Sequence, residues 1–435
     1  MANKHASLDA LFADIANAIR EKTGDTGTIP TAEFPSMIRE RLEVIPPLPY
    51  LTFSSPNSFT LAVGDTTKHW DGTLEYSTDT SIWTAWDGTT TISSATSGGN
   101  NVLYLRGTGN TVITGNNINY KWVLTGSNIK CIGNIENLLD YATVETGAHP
   151  TMATSCYQYM FNACTSLTKA PDLPATTLAN NCYRGMFQDC TSLTKAPDLP
   201  ATTLVNDCYH SMFYNCTSLT QVPTLPATTL ANNCYDSMFQ ECTGLTQAPT
   251  LPATTLASSC YQFIFRNCTS LTQAPSLPAM TLVDYCYYGM FSGCTSLTQA
   301  PALPATTLAS NCYQSMFSGC TSLTQAPALP AMTLAANCYY SMFDGCTSLT
   351  QAPALPATTL KVYCYAFIFR GCTSLKLSST QTGEYTIAYR IPTTGTGTTA
   401  MSALTDMFIS TGGTFTGTPE INTTYYLSNT NTVVD

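Results

Sequence analysis

Cysteine returns every 26 residues at Cys156, Cys182, Cys208, Cys234, Cys260, Cys286, Cys312, Cys338 and Cys364, and a second cysteine follows each after eight residues, from Cys164 to Cys372. No insertion interrupts the period. A unit this short cannot bury its own apolar face, so successive units must stack, and that requirement restricts the chain to a solenoid.

One copy runs Cys182-Tyr-Arg-Gly-Met-Phe-Gln-Asp-Cys190, then Thr-Ser-Leu-Thr, then Lys195-Ala-Pro-Asp-Leu-Pro200 and Ala-Thr-Thr-Leu204. At about 100° per residue the repeated Cys, Tyr, Met or Ile, Phe and Cys fall within one arc of about 140°, and the changing residues fall opposite, which predicts an amphipathic α-helix. Asn181, Asp207, Asn233 and Asn311 stand where an N-cap would. Gly293, Gly319, Gly345 and Gly371, with Asn215 and Asn267, stand where a left-handed residue would end the helix. In the arm that follows, Leu193, Ala196, Leu199 and Leu204 are spaced to point inward from an extended run, which the two prolines keep short.

The Met-Phe-x-x-Cys-Thr-Ser-Leu…Leu-Pro pattern resembles the leucine-rich repeats of bacterial surface proteins of the BspA or Treponema type, over about residues 130–410. The resemblance implies a right-handed solenoid lined on one side by short parallel strands, with a role in adhesion or recognition. The cysteine-rich helix and paired prolines depart from the family's commonest form.

With 435 residues, a net charge of −10 and only 10% charged residues, the chain lacks the clustered Lys and Arg that nucleic acid requires. No apolar run approaches the roughly 20 residues that span a bilayer. The N-terminus leads straight into an amphipathic segment without a signal-peptide pattern, and no sorting signal closes the C-terminus.

Residues 1–45 predict a helical attachment module. Leu8, Leu11, Phe12, Ile15 and Ile19 form one stripe, and Phe34, Ile38 and Leu42 form a second. The string Leu11-Phe12…Ile15-Ala-Asn-Ala-Ile-Arg-Glu-Lys-Thr-Gly24…Ile29-Pro30…Phe34-Pro35 resembles the N-terminal module of tail-associated proteins from phages of gut bacteria, which implies attachment to other tail proteins. Residues 46–126 predict an Ig-like β-sandwich, entered through Pro46-Pro47-Leu48-Pro49, with Phe59–Val63, Thr73–Tyr76, Val102–Arg106 and Lys121–Leu124 as strands. The segment from Glu75 to Gly88 resembles a hairpin of Ig-like carbohydrate-associated modules; Trp70, Trp83 and Trp86 either stack on sugar rings or, as is commoner, fill the core. Residues 127–150 are expected to cover one end of a solenoid spanning 151–375, and 376–435 the other, with Tyr385–Ile391 as the main closing strand and Ala403–Phe408 echoing the Met-Phe segment. The expected fold is therefore a mixed α/β repeat solenoid of nine 26-residue turns, preceded by a helical module and an Ig-like sandwich.

Nineteen cysteines demand a decision. Residues eight apart on a helix lie about 12 Å apart, and packed helices about 8–10 Å apart, both beyond the ~7 Å reach of a disulfide. Zinc sites use shorter Cys spacings or added His. The expectation is buried free thiols and no metal.

No catalytic constellation stands out, since His5, His69, His149 and His210 lie in different modules. No enzyme activity and no cofactor is expected. Repetition suits many weak contacts with a polymer or a crowded surface. Two candidate binding surfaces follow. The column Gln221, Gln247, Gln273, Gln299, Gln325 and Gln351 continues one begun by Lys169 and Lys195; it is either a solvated ladder of mutually bonded side chains or a contact surface. The variable face of the Cys-to-Cys segment carries Tyr159, His210, Tyr214, Phe263, Arg266, Tyr288, Tyr340 and Phe367, more exposed aromatics than a purely solvated face should hold.

These features point to a non-enzymatic phage tail fibre or receptor-binding protein: residues 1–45 hold other tail proteins or self-associate into a homo-oligomer, and the solenoid meets a host-surface glycan or protein. The location expected is the virion tail. A BspA-type adhesin on the bacterial surface and a purely structural tail protein are the alternatives.

Overall fold

The computed structural model describes residues 48–435. The two helices expected within residues 7–45 lie outside the described residues.

The segment between the paired cysteines is not an α-helix. Every fourth residue has positive φ: in the second coil these are Asn181 (57°), Gly185 (58°) and Asp189 (61°). Helical hydrogen bonding is replaced by two alternating sets. Tyr183, Gly185, Phe187 and Asp189 donate their backbone N–H to the next coil, at Cys208, His210, Met212 and Tyr214, over 2.8–3.0 Å. The residues between them donate three positions back, as Met186 does to Tyr183 and Cys190 to Phe187. The result is a ribbon of consecutive β-turns in which a left-handed third residue suits the type II geometry. The residues read as helix caps, such as Asn181 and Gly293, occupy the first and third left-handed positions. The ribbon prevails because each buried backbone group finds a partner while adjacent coils approach more closely than the 8–10 Å of packed helices. Among the described residues one α-helix remains, α1 (Asn137–Glu145), so the expected α/β mixture gives way to strands and turns.

A four-residue turn period buries two side chains and exposes two. Cys182, Tyr183, Met186, Phe187 and Cys190 are fully buried, and the pattern repeats in every coil. Nine tyrosines from Tyr157 to Tyr365 stack with ring centroids 5.6–6.0 Å apart and planes within 11°. A parallel column of phenylalanines runs from Phe161 through Phe369 to Phe408 at 5.6–5.9 Å. Offset stacking of this kind adds about 0.5–1.5 kcal/mol per pair beyond buried area. From Cys190 onward the thiol of each second cysteine donates to the phenylalanine carbonyl one coil earlier, as Cys190 does to Phe161 at 3.1 Å and Cys242 to Phe213 at 3.0 Å, while Cys164 donates to Trp122.

Leu193, Ala196, Leu199 and Leu204 of the arm point into the core as their spacing predicts. Strand pairing there is reduced to isolated parallel bridges such as Gln247–Gln273 and Gln299–Gln325, because proline offers no ladder donor.

Two sheets precede the solenoid. Strands β1 (Leu51–Ser55), β2 (Thr60–Val63), β3 (Thr73–Ser77), β4 (Thr84–Trp86), β5 (Ile92–Ser93), β6 (Ala95–Ser97), β7 (Asn100–Thr108), β8 (Trp122–Thr125), β9 (Ile129–Ile132) and β10 (Leu167–Lys169) form one sheet of order β10-β9-β1-β7-β3-β4, with β6 also on β7, and a second of order β5-β2-β8. Phe53, Trp70, Trp86 and Trp122 are buried in contact with one another. Trp83 instead lies near the surface under the Arg106 guanidinium, 4.1 Å from its ring. The larger sheet runs into the solenoid: β9 pairs antiparallel with β1 and parallel with β10 of the first repeat. The carbonyls of Cys156 and Met160 accept from Ile113 and Trp122 at 2.9 and 2.7 Å, so the sheets themselves cover the open end.

At the far end, Ser402, Asp406 and Ser410 again have positive φ, and Tyr365, Phe367 and Phe369 donate to Ala403, Thr405 and Met407. Residues 402–410 are thus a tenth ribbon without cysteines. Strand β11 (Gln351–Pro353) pairs in parallel with β16 (Thr432–Val434); β12 (Lys376–Ser378), β13 (Tyr385–Arg390), β14 (Gly412–Gly413) and β15 (Thr424–Ser428) form the closing sheet. No helix among the described residues is long and apolar enough to cross a membrane.

Candidate recognition surfaces

All nineteen cysteines are buried and unpaired. Burial pushes the thiols up, to about 12 for Cys242 and Cys320, and to about 11 for Cys364. The helix geometry that would set paired cysteines about 12 Å apart is absent; turn geometry and the thiol-to-carbonyl bonds hold the sulfurs instead. Among the described residues no three His, Cys, Asp or Glu side chains converge on a metal site.

The first surface is the glutamine column. Gln221, Gln247, Gln273, Gln299 and Gln325 are exposed and Gln351 is half-buried. Their backbones bridge from coil to coil, and among the described residues no hydrogen bond joins their side chains. Beside them lie shallow grooves floored by alanine and proline, one formed by Ala274, Pro275, Leu277, Pro278, Pro301 and Ala302. At the N-terminal end the same surface is charged, with Lys169, Asp172, Lys195 and Asp198 around a small recess. Burial raises the Asp172 carboxyl, Lys169 opposing it.

The second surface is the outer face of the ribbon. Arg184 pairs with Asp207 at 3.1 Å. His210 Nδ1 lies 2.9 Å from Ser211 Oγ, and its Nε2 lies 3.6 Å from Asp236 Oδ2; Asp236 accepts from Ser237 at 2.7 Å. Burial lowers His210 to about 4 and raises Asp236 to about 6. The order Ser–His–Asp is that of a nucleophilic triad, but 3.6 Å is too long for the hydrogen bond that would orient the ring.

Farther along, the predicted residues gather into two clusters. Phe263 meets Tyr288 with centroids 4.7 Å apart, and the Arg266 guanidinium lies 5.0 Å from the Phe263 ring. Tyr340 meets Phe367 at 5.5 Å. Tyr214 stands apart from both, its hydroxyl raised by burial and by Glu241. Three residues overlooked in the sequence complete the clusters: Tyr285 against Tyr288, Tyr363 against Tyr340, and Arg370, 5.0 Å from the Phe367 ring and paired with Asp344. Tyr285 and Tyr363 were legible, because their column otherwise holds Asn, Asp or Ser.

Coils joined through their backbones, with columns of leucine and aromatic side chains inside, define a leucine-rich-repeat solenoid. The chain belongs to the BspA type leucine-rich repeat family, whose pattern it matches in six copies over residues 136–272, 183–324 and 233–376. No curated protein and no solved structure matches the chain.

Proposed function

We propose that this chain is a non-enzymatic recognition protein that adheres to a cell surface through the outer faces of its solenoid. The observation that carries this reading is the pair of aromatic clusters around Phe263 and Phe367, held at the surface of a rigid stack. Large side chains ordered by their own coil lose little further entropy on binding, which is how aromatic anchors act at interfaces. Repetition of weak contacts along one rod then multiplies into avidity.

Membership of the BspA-type family favours a bacterial surface adhesin as the setting. The resemblance of residues 11–35 to tail-associated modules favours the receptor-binding fibre of a phage tail, with those residues attached to other tail proteins. Immunogold electron microscopy with antibody against residues 150–375 separates the two. Label at the tips of tails in lysate particles supports the fibre, and label on the envelope of producing cells supports the adhesin. Purified chain that adsorbs to no bacterial surface would sink both.

A further inference from the structure

The 26-residue repeat is nested in a longer one. The middle left-handed position of the ribbon carries an aromatic residue at Tyr159, Phe263 and Phe367, spaced by 104 residues, or four coils. Between them the column repeats itself: glycine at Gly185 and Gly289, then the serine pairs Ser211 with Ser237 and Ser315 with Ser341. Tyr159, Phe263 and Phe367 have φ of 58°, 52° and 59°, a conformation that is strained for a bulky side chain. The strain recurs at a fixed interval, and at the first two rings the neighbouring coil is shaped to receive it, while the position that follows Phe367 is Asp406. A Cβ added to Gly185 would lie 2.4 Å from the Tyr159 ring, and one added to Gly289 would lie 2.4 Å from the Phe263 ring. The glycines are therefore the floor on which these rings lie. Beside the second and third rings stand Arg266 and Arg370. Asp344 occupies the donors of Arg370, whereas among the described residues no carboxylate lies within ion-pair distance of Arg266.

We infer that Tyr159, Phe263 and Phe367 are three equivalent platforms for one linear polysaccharide running along the solenoid axis; this rests on the recognition reading above. Each platform joins a ring face, on which a sugar ring stacks through its C–H groups, to a surround of hydroxyl and amide groups, with guanidinium donors for sugar oxygens at the second. Stacking steps of 5.7–5.8 Å between coils place consecutive platforms about 23 Å apart along a repeat array. A folded protein partner has no reason to meet this interval three times, whereas a polymer of identical sugars meets it in register. Between the second and third platforms the ribbon carries the uncharged Gln314, Ser315 and Ser318, and between the first and second it carries Arg184, His210 and Asp236, whose polar groups face the same path.

Affinity gel electrophoresis of the full chain in amylose, laminarin, xylan and hyaluronate tests the inference. The variants are Phe263→Ser, Phe367→Ser and the triple change that adds Tyr159→Ser. Serine already fills this position in other coils, so folding is retained, and an unchanged melting temperature checks it. Expected is retardation by at least one polymer, weakened about tenfold or more by either single change and abolished in the triple variant. Oligosaccharides of that polymer too short to span two platforms should lose no more than about twofold on either single change. Retention by none of the four polymers, or equal retention of wild type and triple variant, overturns the inference. Adsorption to cells that persists in the triple variant would overturn it while leaving the recognition function standing.

Discussion

A cysteine in this solenoid behaves as a small apolar residue with one weak donor. Burial raises its thiol, and the second cysteine of each coil spends its S–H on a carbonyl 3.0–3.3 Å away, so both routes to a reactive thiolate are closed. Titration with a thiol reagent under native conditions should therefore count close to none of the nineteen cysteines, and in denaturant all of them. Rapid native labelling of even a few would contradict the packing described. Buried free thiols were legible from the sequence because no metal spacing occurs. The distances used to dismiss disulfides were not, since they assumed helices.

The ribbon carries the inward pattern of an α-helix on a different backbone. A four-residue turn period advances 90° per residue against 100° for a helix, and over nine residues the two keep almost the same side chains inward. Cys182, Tyr183, Met186, Phe187 and Cys190 satisfy both, so the buried face was correctly assigned to the wrong backbone. What separates them is the residue tolerance of the outward positions. Asn181, Gly185 and Asp189, four apart, are residues that adopt left-handed geometry readily, and that spacing has no role in a helix. Glycine variants report on it directly. Gly319 has φ +75°, with Gly293 backbone 3.6 Å from an added Cβ, so Gly319→Ala meets no clash; it should lower stability by about 1–2 kcal/mol from backbone strain alone. Gly319→Asn should lower it less. Gly289→Ala, whose Cβ would collide with Phe263, should cost about 1–3 kcal/mol more from overpacking. Thermal melts of the three variants give the order, and equal melting temperatures for all three would refute the ribbon geometry.

For the whole molecule, stability is a sum over coils and their interfaces. Deletion of residues 309–334, one full period, joins Leu308 to Ala335, keeps Gly289 beside Phe263 and restores every column. It should give a soluble protein with a melting temperature within a few degrees of the parent, whereas deletion of residues 283–295 breaks both aromatic stacks and should leave insoluble chain. The solenoid could be read from the repeat alone, but the continuity of the front sheets with it could not. That continuity depends on β9 finding partners on both sides, β1 and β10, far apart in the chain. Of the surface residues, Phe263, Arg266 and Tyr288 come together because their columns adjoin, a relation that one repeat inspected by itself does not reveal. The ribbon hydrogen bonds hold a further consequence: in every coil they run the same way, N–H toward the C-terminal neighbour, as from Tyr183 to Cys208 and from Tyr339 to Cys364. Peptide dipoles aligned in series add, so the rod is electrically polar, with its negative pole at the carbonyls of the first coil and its positive pole at the tenth. Lys121 stands at the former and Asp406 at the latter. Two such rods laid side by side would favour opposite directions, and one placed in an electric field would turn to a single heading.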